Sequence, residues 1–385
     1  MEKMSKSFSY SMPTKVLFGP GQLSRIGEEA KNLGSRALLV TGRTAMRRLG
    51  VIDKVKTYLK SNRIQADVFD QVMPNPTVEV VNKGGKLAKE RSCDLIIGLG
   101  GGSVIDAAKG VAVIAAHGGN IERYIGVNKI PGSTLPVVAV PTTSGTGSEV
   151  TIFAVFTRGK EKVAAASDFI SPKISILDPL LLISQSSQLT VCTGMDALAH
   201  AIEAYTSRKA NFFSNMFARE AIKLIGRHLR RAVWVGEDLE ARKEMALASN
   251  LAGMAINYAG TTAGHALGMS VGGFFGVDHG TTVGILLPHL MKYNISADLR
   301  KFAEISVLLG ENIEGISLRD AALKSIQAVK NLMGDINLSQ TLSEIGIKED
   351  AIPEVVEDAM TKPAFKNNLK ILTKEETCEM CRSAL

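Results

Sequence analysis

The chain has 385 residues, enough for two domains with separate cores, and its 45% hydrophobic and 22% charged composition is that of an ordinary globular protein. The net charge of +7 comes from Lys and Arg spread along the chain, with no long basic run interleaved with aromatics, which argues against nucleic-acid binding. Four cysteines, Cys93, Cys192, Cys378 and Cys381, make no disulfide framework and suit a reducing cytoplasm.

The opening MEKMSKSFSYSMPTKVLF lacks the continuous apolar core of a signal peptide. Short apolar runs then alternate with helical patterns. VLF (16–18) precedes a helix after Gly19-Pro20-Gly21, ALLVT (37–41) precedes a patterned segment to about Asn62, and ADVFD (66–70) precedes a helix over about 77–91. DLIIGLG (94–100) leads into another helix and PVVAVPTT (136–143) into a Ser/Gly/Thr loop, with KVAAAS (162–167) and KISILD (173–178) closing the region. Strands alternating with helices predict βαβ units and a mainly parallel sheet. After Asp178-Pro179 the apolar residues recur at helical spacing, as in NMFAREAIKLIGRHL and RDAALKSIQAVKNLM, with no strand signal. The expected division is an α/β domain over 1–184 and an all-helical domain over 185–385, with a ligand at the strand carboxyl ends and in the cleft between domains.

Two segments invite other readings. Met245 to Val277 carries no Asp, Glu, Lys or Arg, yet it is rich in Ala, Gly, Ser and Thr and holds Asn250, Asn257 and His265. A buried helix pair fits it better than a membrane span. Cys378 and Cys381 form a CxxC with no second pair, near the end of an amphipathic helix, and are read as structural.

LIIGLGGGSVIDAAKG (95–110) is a buried-strand pattern, a glycine cluster and a helix. Gly100, Gly101 and Gly102 would let the backbone approach a ligand closely, and Ser103 with Asp106 has capping-box spacing. The free N–H groups of such a helix start form an anion site suited to a pyrophosphate, although a tight turn alone would also account for the glycines. VAVPTTSGTGSEVT (138–151) is a second strand entering a hydroxyl-rich loop, in which Thr142, Thr143, Thr146 and Ser148 could bond a phosphate or a nicotinamide carboxamide. Turn chemistry is the plainer account of that loop. Two such loops in one α/β domain point to a nucleotide.

GMDALAHAIEAYTS (194–207) reads as a helix with Asp196 and His200 on one face, a half-site for a divalent cation or a simple hydrogen-bonded pair. GHALGMSVGGFFGVDHG (264–280) holds His265 and His279, which an unbroken helix would set roughly 21 Å apart. They could share a site only if the chain turned back, and Gly272, Gly273 and Gly276 are the residues that would permit it. One carboxylate and three imidazoles would suit Fe²⁺ or Zn²⁺ and leave a position for substrate. His117, His228 and His289 lie in contexts that suggest no chemistry.

GGGSVIDAAK, PTTSGTGSEVT, GMDALAHAIEAY and GHALGMSVGGFFGVDHG, in this order, resemble the iron-containing (group III) alcohol dehydrogenases over nearly the whole chain. The resemblance implies a Rossmann-like N-terminal domain, a helical C-terminal domain, and a metal held by Asp196, His200, His265 and His279. It implies reversible hydride transfer between a primary alcohol or aldehyde and the nicotinamide of NAD(P)(H), with the metal as Lewis acid and His265 and His279 at the reacting centre. By the same resemblance Asn75, Gly101, Gly102, Ser103, Asp106, Thr142, Thr143, Thr146 and Lys162 surround the cofactor. Phe153, Phe274 and Phe275 are candidates for an apolar substrate wall. The expected partners are a small alcohol or aldehyde and a second copy of the chain, with no membrane.

Three departures from the family pattern carry expectations. Relatives that prefer NAD typically place Asp after the strand matching ALLVT, where this chain has Gly42 followed by Arg43. Glycine makes room for a 2′-phosphate and arginine supplies a bidentate partner, so NADP is expected over NAD. Met269 stands where many relatives carry a further histidine, and Asn367-Asn368-Leu369 replaces a frequent Asn-Pro-Arg, so no role is assigned there. The rival readings are a polyol dehydrogenase of the glycerol type, a lyase like dehydroquinate synthase on a similar plan, and a non-catalytic relative.

Overall fold

The computed structural model describes residues 7–385, so the first six residues of the opening segment read above lie outside the described residues. Two compact units divide the chain. Pro13–Gln185 with Gly236–Asn250 form an α/β unit; the segment ending at Met12, Ser186–Val235 and Leu251–Leu385 form a helical one.

Nine strands lie in the α/β unit: β1 (Lys15–Phe18), β2 (Arg36–Gly42), β3 (Gln65–Val72), β4 (Leu95–Gly100), β5 (Gly126–Val127), β6 (Val137–Pro141), β7 (Phe153–Arg158), β8 (Glu161–Ala166) and β9 (Ile174–Leu177). Six make an all-parallel sheet in the order β1-β9-β6-β4-β2-β3. The helices α1 (Ile26–Ala30), α2 (Ala45–Arg48), α3 (Val51–Ser61), α4 (Val78–Glu90) and α5 (Gly102–His117) connect its strands. Buried parallel strands read as continuous apolar runs because both faces are covered, and β4, buried at every position, is the plainest case. Alternation assigns the faces. Leu38, Val40 and Ile96 face a core with Phe69, Val81 and Val111, while Leu39, Leu95 and Ile97 face one with Ile26, Val55 and Leu59.

A strand absent from the sequence reading is β7, which pairs antiparallel with β8 and, with β5, makes a second, three-stranded sheet. Phe153, offered as substrate wall, opens β7 in register with Ala166.

The helical unit contains α6 (Ser187–Thr206), α7 (Phe212–Trp234), the end of α8 (Leu239–Ala259), α9 (Ala263–Phe275), α10 (His279–Asn294), α11 (Leu299–Leu308), α12 (Leu318–Asp335), α13 (Ile352–Thr361) and α14 (Lys374–Arg382). The uncharged run Met245 to Val277 is two helices, parted where Gly260 takes a left-handed φ of 65°. No described helix is long and apolar enough to cross a membrane. Cys378 and Cys381 are buried on α14, and burial pushes the Cys381 thiol up to about 12, away from redox chemistry. Asn367 and Asn368 are structural: Asn367 donates to the Thr261 carbonyl, and Asn368 and Asn294 exchange side-chain amide bonds at 2.9 Å.

Candidate functional site

In the α/β unit the ends of β4 and β6 and the start of α5 meet at a glycine turn. A Cβ on Gly98 would lie 2.9 Å from the Ala108 methyl and one on Gly100 2.6 Å from Val104, so their absence lets α5 lie against β4. The hydroxyl loop closes over the turn: the Thr142 N–H donates to the Gly100 carbonyl at 3.0 Å, and Thr143 and Thr146 occupy the space a side chain on Gly101 or Gly102 would need. The N-cap is Gly101, and no side chain caps the helix. The capping-box expectation for Ser103 and Asp106 is therefore corrected. Ser103 lies one residue inside the helix, its Oγ accepting from the Asn75 N–H at 3.2 Å, and Asp106 bonds elsewhere. An uncapped helix start leaves its first N–H groups available to an anion.

Asn75, at a left-handed φ of 58°, is the hub of a chain of bonds through these elements. Its carbonyl accepts from Thr157 Oγ1 at 3.3 Å, and Thr157 Oγ1 accepts from Lys162 Nζ at 3.0 Å. Burial pulls the Lys162 ammonium down to about 8. At the end of β2, Gly42 has open space, with only the Val72 carbonyl 3.7 Å from a virtual Cβ, and Arg43 is exposed.

Asp106 and Lys109, one turn apart on α5, strap the loop to the helix. Asp106 accepts from Ser148 Oγ at 2.5 Å and from the Val155 N–H at 2.9 Å. Lys109, fully buried, donates to the Thr151 carbonyl and hydroxyl at 2.8 and 3.1 Å and to the Phe153 carbonyl at 2.6 Å, using all three ammonium protons. Burial pulls its pKa down to about 8 against the pull of Asp106 and Glu149. Sequence reading missed Lys109, although its place three residues after Asp106 on an otherwise apolar helix is a signal. Lys109→Met is expected to lower stability by about 3 kcal/mol, because it strands buried carbonyls and leaves Asp106 without its cation. A urea midpoint equal to that of the parent protein would contradict this account.

In the helical unit α6 is capped by Ser186, whose Oγ accepts from the Leu189 N–H at 3.3 Å. It carries Asp196, His200 and, one turn further, Glu203 on one buried face. The turn-back between His265 and His279 comes at one of the three glycines named for it. Gly276 ends α9 at φ 69°, whereas Gly272 and Gly273 lie within the helix. His279 then opens α10 and returns against Gly268, where a Cβ would stand 3.1 Å from the imidazole. Asp196, His265 and His279 offer ligand atoms that all lie within 4.8 Å of one another. From Asp196 Oδ1, His265 Nε2 is 3.5 Å away and His279 Nε2 3.7 Å. His200 stands beside this trio, its Nδ1 3.9 Å from Asp196 Oδ2 and its ring stacked on His265 with centroids 4.2 Å apart.

Those separations are too long for hydrogen bonds, and they resemble the roughly 3.4 Å between ligand atoms held 2.0–2.1 Å from one ion in a tetrahedron. Seven buried side-chain N and O atoms among the described residues lack a hydrogen-bond partner, and three are Asp196 Oδ1, His200 Nδ1 and His265 Nε2. Orphaned polar atoms at this burial are costly unless something else satisfies them, and a divalent cation does. Burial alone would raise the Asp196 pKa, but His200, His265 and His279 hold it well below the usual carboxylate range. Burial pushes His200 down to about 4, which keeps it a neutral donor. The donor set fits a divalent metal. Glu203, 1% exposed, escaped the sequence reading although the α6 spacing of 196, 200 and 203 places it on the same face. Phe274 and Phe275 end α9, edge to face at 6.4 Å, and Met269 is half-buried one turn beyond His265. His117 and His289 have partners of their own, the Gly132 carbonyl and Ser383 Oγ.

A glycine-turned parallel sheet in one unit and such a cluster in a helical unit are together the plan of a metal-dependent nicotinamide oxidoreductase. The family model described as iron-containing alcohol dehydrogenase matches residues 13–179, and that of the family's C-terminal part matches residues 190–385. A 1,3-propanediol dehydrogenase of Citrobacter freundii is 41% identical over 98% of this chain and 99% of its own. An NAD-dependent methanol dehydrogenase of Bacillus methanolicus is 34% identical over 98% and 100%. Among solved structures, a 1,3-propanediol oxidoreductase superposes with a TM-score of 0.96 at 41% identity, covering 99% of this chain and all of that one. The NADH-dependent butanol dehydrogenase A of Thermotoga maritima gives 0.89 at 30% identity, covering 98% of both. The chain belongs to the iron-containing alcohol dehydrogenase family. It is an alcohol oxidoreductase whose family works with a nicotinamide dinucleotide and a divalent metal.

Proposed function

We propose that this enzyme interconverts primary alcohols and aldehydes, with the dinucleotide bound by residues 1–184 and the metal by residues 185–385. Two observations carry the reading: Asp196 Oδ1, His200 Nδ1 and His265 Nε2 are buried without hydrogen-bond partners, and Asp196, His265 and His279 offer ligand atoms within 4.8 Å of one another. Asp196, His200, His265 and His279 would hold the metal, which supplies a Lewis acid when bound. Fe²⁺ and Zn²⁺ both suit one carboxylate and three imidazoles. Asp196 brings the single negative charge, leaving a divalent ion net positive toward a substrate oxygen. Gly100, Gly101 and Gly102 with the uncapped start of α5 would receive the pyrophosphate, and Asn75, Ser103, Thr142, Thr143, Thr146, Ser148 and Lys162 would frame the rest of the dinucleotide. Asp106 holds that frame through Ser148. Met269 and Phe274 give the substrate wall its apolar character. A cytoplasmic homodimer completes the reading, with four free thiols supporting the compartment.

The test is NAD(P)H oxidation with butyraldehyde after reconstitution with Fe²⁺ or Zn²⁺. Absence of turnover with any aldehyde, alcohol or polyol would favour a non-catalytic relative. A short terminal diol is the second substrate class, because a 1,3-propanediol dehydrogenase is 41% identical over nearly the full length. Comparing butyraldehyde with 3-hydroxypropionaldehyde separates the two.

The proposed preference is NADP over NAD, supported by the exposed Arg43 and the space at Gly42. Gly42→Asp, which fits sterically, is expected to move the kcat/KM ratio of NADP to NAD toward NAD by at least about tenfold, through repulsion of the 2′-phosphate. A parent enzyme that already favours NAD, or an unmoved ratio, overturns it.

A further inference from the structure

We propose that Glu203 is a positioning residue that sets metal affinity by fixing the His265 ring, without itself touching the metal. The inference rests on the metal reading above. Glu203 Oε1 accepts from His265 Nδ1 at 2.8 Å. An ionised carboxylate can only accept, so the imidazole proton sits on Nδ1 and the Nε2 lone pair is left free. Nε2 is the atom that has no hydrogen-bond partner, 3.5 Å from Asp196 Oδ1.

The other carboxylate oxygen holds the helix that bears this ring. Oε2 accepts from the Thr262 N–H at 2.5 Å and from Thr262 Oγ1 at 2.7 Å. Thr262 is the N-cap of α9 and makes no side-chain cap of its own; the acid from α6 accepts from the N-cap residue's own N–H and hydroxyl, tying the helix start to α6. One side chain thus fixes the ring's tautomer and the position of its helix. The local sequence makes room for it: a Cβ on Gly264 would lie 2.4 Å from Glu203 Oε1. With both oxygens engaged, Glu203 tunes the ligand from behind, as carboxylates behind metal-bound imidazoles do.

The experiment measures Zn²⁺ affinity of the full-length protein by competition with a chromophoric chelator, beside NADPH binding by fluorescence. Glu203→Gln keeps the size but turns a donor toward Thr262 or His265. It is expected to weaken Zn²⁺ binding 10- to 100-fold with NADPH affinity unchanged. Thr262→Ala, which removes one bond and keeps the carboxylate, is expected to weaken it a few-fold, and serves if the first variant fails to fold. His265→Ala is the control. If His265→Ala loses Zn²⁺ while both other variants bind within about twofold of wild type, the role given to Glu203 is wrong. If His265→Ala binds Zn²⁺ as wild type does, the metal reading itself fails. An equal loss of Zn²⁺ and NADPH affinity in E203Q marks a global defect and also overturns the inference.

Discussion

Stripping divalent metal from the purified enzyme with a chelator is expected to lower kcat/KM at least about 10³-fold, because a Lewis acid at the reacting oxygen contributes several kcal/mol to the transition state. His279→Ala should cause a loss of the same order. His279 opens α10 and is only 36% exposed at the cluster, where its Nε2 stands 3.7 Å from Asp196 Oδ1. The two perturbations differ in repair: added Fe²⁺ or Zn²⁺ should restore the stripped wild-type enzyme and leave His279→Ala inactive. Steady-state kinetics across a metal titration reads both. Turnover that survives metal removal, or an alanine variant as active as its parent, would remove the foundation of the proposed reaction.

Gly280→Ala is expected to be nearly as severe, by a different route. A Cβ there would stand 2.0 Å from the Cys192 carbonyl oxygen and 2.7 Å from its carbon, which are backbone atoms of α6 and cannot swing aside. Helix propensity would favour alanine by about 1 kcal/mol. Overpacking against a rigid neighbour costs about 3 kcal/mol or more, so the net sign is destabilising. Cys192 lies one turn before Asp196, and Gly280 is next to His279, so forcing the helices apart also separates two of the clustered side chains. Urea unfolding should show a loss of about 2 kcal/mol or more, and chelator competition a weaker hold on Zn²⁺. A variant more stable than wild type would show that propensity wins and that the contact has slack.

Much of this was readable in the sequence, for reasons that can be named. The strands of the parallel sheet announced themselves because burial on both faces removes polar alternation, as in LIIGLG. Asp196 and His200 were visible through helical spacing. That His265 and His279 approach each other was left open by their spacing and came only from the family resemblance, since it depends on the turn at Gly276 and on Gly268 leaving room, both matters of packing. The capping-box expectation failed because Gly101 took the N-cap position and the hydroxyl of Ser103 met Asn75 instead. β7 was hidden because FAVFTR follows a hydroxyl loop and not an α-helix of the kind that precedes β2, β3 and β4. Glu203 and Lys109 were overlooked for the same reason: a charged side chain on a helix reads as solvated until its partners, distant along the chain, are seen.

The three backbone seams at Gly264, Gly268 and Gly280 leave 2.4, 2.5 and 2.0 Å between a hypothetical methyl carbon and its nearest neighbour. A methyl at any of the three would force a neighbour to move, and at Gly280 that neighbour is backbone, so under the proposed function substrate preference is expected to change more readily at half-buried positions such as Met269 and Phe274. The scaffold thereby separates what must stay still from what is free to drift, and a change of diet need not disturb the hearth.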